Sequence, residues 1–449
     1  MPDATSVTST LPVDRPLGFS ESFFHFMHEQ GAYVICIGVR LRGPMTEALL
    51  TAALRRAQLR HPLLRAHIVE ERLRYRFSER GTGAIPLRVL RRESRETFAR
   101  AMEDEILRPI PSAPHAPRLR VVLIGPTPAV SSASEGEPRE PEDAFEIILS
   151  MDHAVCDGAS VISLVRDILK DAAALASGAA LPPVEPLPPL PSLEALLAAR
   201  GDLPKWKAQA EKNEVPLVPT TRVDGARATR LFFHDVSVAE TAKLTERCRA
   251  ESTSVNGALT AAALIAMQRA AWGSGAVSAR LSVISNVALR AQARPPVSVE
   301  HVGNFVSYVQ TYHAVSADTP FWPLARACRE AISAQVAARE AEGRLAPGQL
   351  LWWQRGYLRH VAPRIKHGIG NALAISNSGR LPLEGQHGPF ALDAVYGSSA
   401  QHFIGSSIAL FVWSIESGMH LCICYPEPVV SREAATRVSQ EMMSLLAGA

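Results

Sequence analysis

A histidine stands four residues ahead of an aspartate-glycine pair in "SMDHAVCDGAS", Ser150 to Ser160, which brings His153, Asp157 and Gly158 together. An imidazole with an ordinary pKa near 6.5 can accept and return a proton close to neutrality, as acyl transfer to a hydroxyl or amine requires. A plainer reading is also open: a satisfied histidine at a strand end, followed by an aspartate that caps the next helix. With 14 histidines in the chain and average Asp and Gly usage, HxxxDG is expected roughly 0.04 times by chance, against about 0.6 times for HxxxD. The glycine therefore makes the pattern informative. No other histidine in the chain is followed by an aspartate at the same spacing.

The elements that must carry this motif are legible around it. "FEIILSMDH" alternates as a strand, with Phe145, Ile147, Leu149, Met151 and His153 on one face and Glu146, Ile148, Ser150 and Asp152 on the other. "ASVISLVRDILKDAAALASG" then repeats at helical spacing, with Gly178 as its C-cap. Earlier, "ESFFHFMHEQ" reads as a helix, "YVICIGVRLRG" as a strand and "TEALLTAALRRAQLR" as a helix closed by Pro62.

The Pro-rich stretch from Ser177 to Thr221 reads as an extended connector holding one short helix. It divides the chain into residues 1–176, which carry the motif, the connector 177–221, and residues 222–449. The second half has helical patterns over Val238–Ala250, Val255–Trp272 and Trp322–Ala341, and a terminal helix capped by Ser431. Its strand-like stretches are "ARLSVISNVAL", "GNFVSYVQTYHAV", "NALAISNSG" and a hairpin, "IALFVWSIESGMHLCICY", turning at Ser417 and Gly418. Strands and helices mix without regular alternation, so the expected fold is two α/β sandwich domains with mixed sheets.

Composition narrows the function. Hydrophobic residues make up 47% and the net charge is only +3, which suits a globular protein and gives no argument for nucleic acid. The Arg-rich stretch from Arg88 to Arg120 reads as a solvated face. Six cysteines include no CxxC, and Cys422 and Cys424 point the same way along a strand, so free buried thiols in a reducing compartment are expected. No stretch reaches the roughly 18 uncharged apolar residues of a membrane span, and the first residues have no basic or apolar leader pattern. A cytoplasmic protein is the expectation. His301, His313, His360, His367, His387, His402 and His420 have no ligand spacing, so no metal is expected. GxSxG, GxGxxG and P-loop patterns are absent from the sequence. His61 in "RHPLLR" reads as a structural helix end, with Arg65 paired internally.

"HAVCDG" at a strand end resembles the HxxxDG signature of the superfamily related to chloramphenicol acetyltransferase, which includes nonribosomal peptide synthetase condensation domains and polyketide-associated acyltransferases. "RHPLLRAHI", "SNVALRAQARPPVSVEHVGNFVSYV" and "ISNSGRLPL" resemble further segments of that superfamily, in the same order. Two features depart from its branches. Condensation domains usually carry two adjacent histidines where this chain has Asp152 and His153, and the DFGWG motif of plant-type enzymes is missing.

The resemblance implies two chloramphenicol acetyltransferase-like lobes with an active-site tunnel at their interface. It implies an acyl group moving from acyl-CoA or an acyl carrier protein to an alcohol or amine of a specialised metabolite, by direct attack and without a tightly bound cofactor. His153 is then the candidate general base. Asp157 is implied to pair with Arg290 across the lobes, in addition to or instead of capping. Amides at Gly158 are candidates to stabilise the oxyanion, with Gly158 admitting the acceptor or pantetheine close to the backbone. Asn304, in "VGN", either lines the tunnel or satisfies loop backbone. Cys156 reads as a packed thiol rather than a nucleophile. A stand-alone condensation enzyme and a catalytically silent recruitment module remain the alternatives.

Overall fold

The computed structural model describes residues 13–71, 74–125, 143–205, 212–221, 223–273, 278–345 and 368–449. In chain order the first half runs β1 (Asp14–Pro16), α1 (Phe19–Glu29), β2 (Val34–Arg42), α2 (Glu47–Arg60), β3 (His67–Glu71), β4 (Arg74–Ser78), β5 (Leu87–Arg91), α3 (Thr97–Ile106), β6 (Leu119–Gly125), β7 (Ala144–Asp152) and α4 (Gly158–Ala176). The short α5 (Leu193–Ala198) lies in the Pro-rich connector. Then follow β8 (Ala228–Ser237), α6 (Val238–Ala250), α7 (Val255–Trp272), β9 (Ala279–Ala288), β10 (Val306–Val315), α8 (Phe321–Ala337), α9 (Glu340–Gly343), β11 (Ile369–Arg380), β12 (Gln386–His387), β13 (Phe390–Ser399), β14 (Gly405–Ile415), β15 (Gly418–Glu427) and α10 (Arg432–Gly448).

Two six-stranded mixed sheets organise two lobes, in the orders β12-β13-β2-β7-β6-β5 and β10-β9-β11-β14-β15-β8, and β1-β4-β3 forms a small third sheet. In the first sheet only β5 and β6 run parallel; in the second, β11 is parallel to both neighbours. The alternation along β7 has the expected consequence. Phe145, Ile147, Leu149 and Met151 enter a core with α2 and α4, while Ile148 packs on the opposite face with Phe98 and Met102 of α3. In the second lobe α7 is buried nearly all round, wrapped by α8 and α10 over the sheet.

Three local readings differ from the structure. A boundary after residue 221 puts Phe390–Ser399 in the second half, yet β13 hydrogen-bonds along β2, pairing Tyr396 with Gly38 and Ser399 with Ile35. The first sheet is thus completed from far down the chain, where no local pattern reports the partner strand. Where β13 meets β14, Gly397 makes room for Trp413: a methyl group there would stand 2.9 Å from the indole ring. The helical pattern from Trp322 to Ala341 breaks at Arg339, whose φ of 57° lies in the left-handed region. The hairpin turns one residue early, since Ile415 already pairs with Gly418.

Several arginines of the Arg-rich stretch are ion-paired, with Arg88 and Arg108 still half-exposed. Arg88, Arg108 and Arg120 converge on Glu105, and Arg92 meets Glu146 at 2.6 Å. All six cysteines are free and buried, with the Cys422 and Cys424 sulfurs 3.9 Å apart. His61 bonds Asp167 at 3.1 Å at the end of α2, and Arg65 pairs with Glu79. Among the described residues no helix is long and apolar enough to cross a membrane, and no group of His, Cys, Asp or Glu is placed to hold a metal ion. His360 and His367 lie outside the described residues.

Candidate active site

β7 ends at Asp152 and α4 starts at Gly158, so His153 occupies the turn between a buried strand and a helix N-terminus. Its Nδ1 lies 2.8 Å from the Cys156 carbonyl. A carbonyl only accepts, so Nδ1 carries the proton and Nε2 keeps its lone pair. The ring stacks on Phe24 of α1, with centroids 4.0 Å apart and planes 18° from parallel. Burial lowers the His153 pKa; hydrogen bonding to the backbone and the nearby Asp157 and Asp152 carboxylates oppose that fall without cancelling it. The imidazole is therefore neutral at pH 7.

Asp157 both caps and bridges. One carboxylate oxygen accepts from the Ser160 amide at 2.8 Å, as an N-cap does, and also meets Arg290 Nη2 at 2.8 Å. The other accepts from the Phe305 amide at 3.0 Å. Arg290 is held in turn by the Ser298 and His301 carbonyls and lies over the Phe305 ring, 4.6 Å from its centroid. Ser160, which no sequence pattern marked, ties the corner together: its hydroxyl contacts Asp157, Arg290 and the Gly303 backbone.

A cavity of about 690 Å³ opens beside His153, within the usual range for small-molecule sites. One wall, from the first lobe, carries Phe23, Phe24, Tyr33, Ile35 and Ile162; the other, from the second, carries Asn286, Ser307, Asn371, Ser376 and Ser378. His153 and Gly158 lie on this cavity. Gly158 opens α4, where the first amides have no intrahelical acceptor. Among the described residues a methyl group on Gly158 would meet only Ser378 Oγ, at 3.6 Å, so none of their atoms demands the glycine and a side chain there would enter the space beside His153.

Asn304 is placed otherwise than a substrate-binding assignment requires. It is buried off the cavity wall, and its side-chain amide donates to the His153 carbonyl at 2.8 Å. A carbonyl at a strand end needs a donor, and Asn304 supplies one from across the lobes. Sequence reasoning also missed Phe24 and Tyr33. Tyr33 directly precedes the Val34–Asp152 pair, has a left-handed φ of 51°, and packs edge-on against Phe24, with centroids 5.3 Å apart. An aromatic-rich amphipathic segment ahead of a strand is an ordinary core signal, so nothing in it announced contact with His153.

Cys156 is fully buried, its thiol pKa is pushed well above the ordinary value by burial and by Asp157 and Asp152, and its sulfur faces the Asp152 carbonyl at 3.5 Å. Such a thiol is a poor nucleophile. Intact mass measurement of a quenched reaction should find no acyl group on Cys156. An adduct there at the level of a burst would overturn direct attack.

Residues 226–383 match the family described as phthiocerol/phthiodiolone dimycocerosyl transferase C-terminus. No curated protein matches the chain in sequence. Among solved structures, polyketide synthase associated protein 5 from Mycobacterium tuberculosis is similar at 17% identity and a TM-score of 0.66, over 96% of this chain and 97% of that one. The TRI3 trichothecene 15-O-acetyltransferase from Fusarium sporotrichioides is similar at 12% identity and a TM-score of 0.68, over 96% and 94%. The first condensation domain of the CDA synthetase is similar at 15% identity and a TM-score of 0.66, over 97% and 96%. The fold is the one these solved structures share.

Proposed function

We propose that the protein is an acyltransferase that moves an acyl group from a thioester, acyl-CoA or an acyl carrier protein, to a hydroxyl or amine of a specialised metabolite. The observation that carries this reading is a neutral His153 whose Nδ1–H is spent on the Cys156 carbonyl, leaving Nε2 free in a cavity walled by both lobes. In this mechanism Nε2 takes the proton of the acceptor as its oxygen or nitrogen attacks the thioester carbonyl. The resulting oxyanion is stabilised by the free amides at the start of α4, at Gly158 and Ala159. Collapse expels the thiolate, which recovers the proton from the imidazolium, so the histidine ends neutral. Asp157 and Arg290 hold the loop and take no part in proton transfer. Thioester and acceptor are co-substrates, and no resident cofactor enters any step.

A second reading, a stand-alone condensation enzyme joining carrier-bound substrates, is favoured by the similarity to condensation domains. Thiol release measured over short and long acyl-CoAs and acyl carrier proteins, with alcohol, amine and carrier-bound aminoacyl acceptors, separates the two. Acyl-CoA turnover with a free acceptor supports the first; turnover confined to a carrier-bound donor and a carrier-bound acceptor supports the second. No release above the protein-free blank with any pair would sink both and leave a recruitment role.

A further inference from the structure

Helix α1 grips the last residue of β7 and the one after it with two consecutive residues of its own. Phe24 stacks on His153, and His25 Nδ1 lies 2.7 Å from Asp152 Oδ2. The same oxygen accepts from Arg118 Nε at 3.1 Å and Nη2 at 2.7 Å, while Oδ1 accepts from the Ala154 amide, one residue beyond His153, at 2.9 Å. Arg118 is itself anchored on the Pro111 and Ile110 carbonyls. Asp152 and Arg118 are almost completely buried. We propose that Asp152 is a positioning residue for His153: its carboxylate locks the strand end, the Ala154 peptide and α1 into one rigid corner from which the imidazole faces the cavity.

The charges argue that this corner is built around an acid. The Arg118 guanidinium and the His25 ring both point at residue 152, and a buried guanidinium demands an anion. A second histidine, the residue condensation domains usually carry, would leave Arg118 without a counter-charge in the core. Asp152 is thus matched to His25 and Arg118 and is no decayed motif position. Burial alone would raise the Asp152 pKa, but His28, Arg118 and His25 outweigh it and hold the group well below the usual carboxylate range. It stays charged throughout the range in which His153 titrates. The other charged or titratable groups around the corner include His28 and Glu29 on α1, Tyr75 on β4 against His25, Arg120 on β6, Cys156 against the Asp152 carbonyl, Asp157 at the start of α4 with its partner Arg290, and Tyr33 beside the strand end.

The assignment rests on the acyl-transfer reading, and its test is arranged to be separable from it. Asp152→Asn keeps the size and the Ala154 acceptor but removes the charge that holds Arg118 and His25. A misplaced base should cost about 10²-fold in kcat, with KM within about twofold because the cavity walls are untouched. Imidazole nitrogen NMR, with His153 assigned through His153→Gln, should show the His153 titration moving to lower pH and its single Nδ1–H tautomer giving way to a mixture. The spectrum reads the ring whether or not any thioester is turned over, so absent turnover in the wild type defeats the acyl-transfer reading while the spectrum still decides the role of Asp152. His25→Ala, which cuts the hold of α1 alone and keeps the Asp152 charge, should give the same mixing of tautomers without the shift to lower pH, and a kcat loss of about tenfold; it decides the matter if Asp152→Asn does not fold. A folded variant with wild-type kcat and unchanged His153 resonances overturns the assignment. Loss of cooperative folding in both variants also overturns it, making the cluster an element of stability only.

Discussion

Replacing His153 with alanine is expected to lower the acyl-transfer rate by 10² to 10⁴, the range typical of losing a general base, while the cooperative melt survives. The fold should tolerate the change because the imidazole faces a cavity on one side and a single aromatic ring, Phe24, on the other. Only the hydrogen bond to the Cys156 carbonyl and that stack are lost. The pH dependence has a definite sign. Burial lowers the His153 pKa from its ordinary value of 6.5, so the neutral base persists below pH 6.5, and activity is lost only as pH falls through the lowered value. The acid limb of kcat/KM in the wild type should therefore lie below 6.5 and vanish in His153→Ala. Wild-type-like rates in the alanine variant, or an acid limb above 6.5 unaffected by it, would remove His153 from the chemistry.

How much of this site was legible before the fold was known depends on whether each partner lies nearby in sequence. The β7 strand, the turn and the α4 cap are contiguous, and their patterns read directly: Asp157 has a capping residue's type, place and following helix, and it does cap. The helices at Val238–Ala250 and Val255–Trp272 begin and end where their helical patterns place them. Long-range pairing is different. β13 reaches β2 across some 350 residues, and nothing in "FALDAVYGSS" distinguishes an inserted strand from one that stays in its own half. Asn304 kept two readings open because an amide in a loop can serve substrate or backbone equally well. Only the His153 carbonyl at 2.8 Å decides between them. Asp152 was visible as a departure from a motif, but its meaning lay in His25 and Arg118, both more than thirty residues away and each unremarkable alone.

Asp157 and Arg290, 133 residues apart in the chain and buried against each other at 2.8 Å, should reveal their coupling in a double-mutant cycle. Asp157→Ala removes a cap and strips the counter-charge from a guanidinium held in place by two carbonyls and the Phe305 ring, an arrangement that cannot follow the cation into solvent. Arg290→Ala leaves the carboxylate with the Ser160 and Phe305 amides but no cation. Breaking a buried pair from one side typically costs about 3 to 5 kcal/mol, so each single variant should unfold at markedly lower denaturant and turn over poorly, since the loop bearing His153 is anchored there. Asp157→Ala should be the worse of the two, by about the 1 kcal/mol of the lost cap. The double variant buries no unpaired charge and should be less destabilised than the sum of the singles. If Asp157 acted as a cap alone, its substitution would cost only about 1 kcal/mol and share nothing with Arg290. Additivity within about 0.5 kcal/mol in urea unfolding would establish that outcome and leave the contact between the lobes without energetic weight.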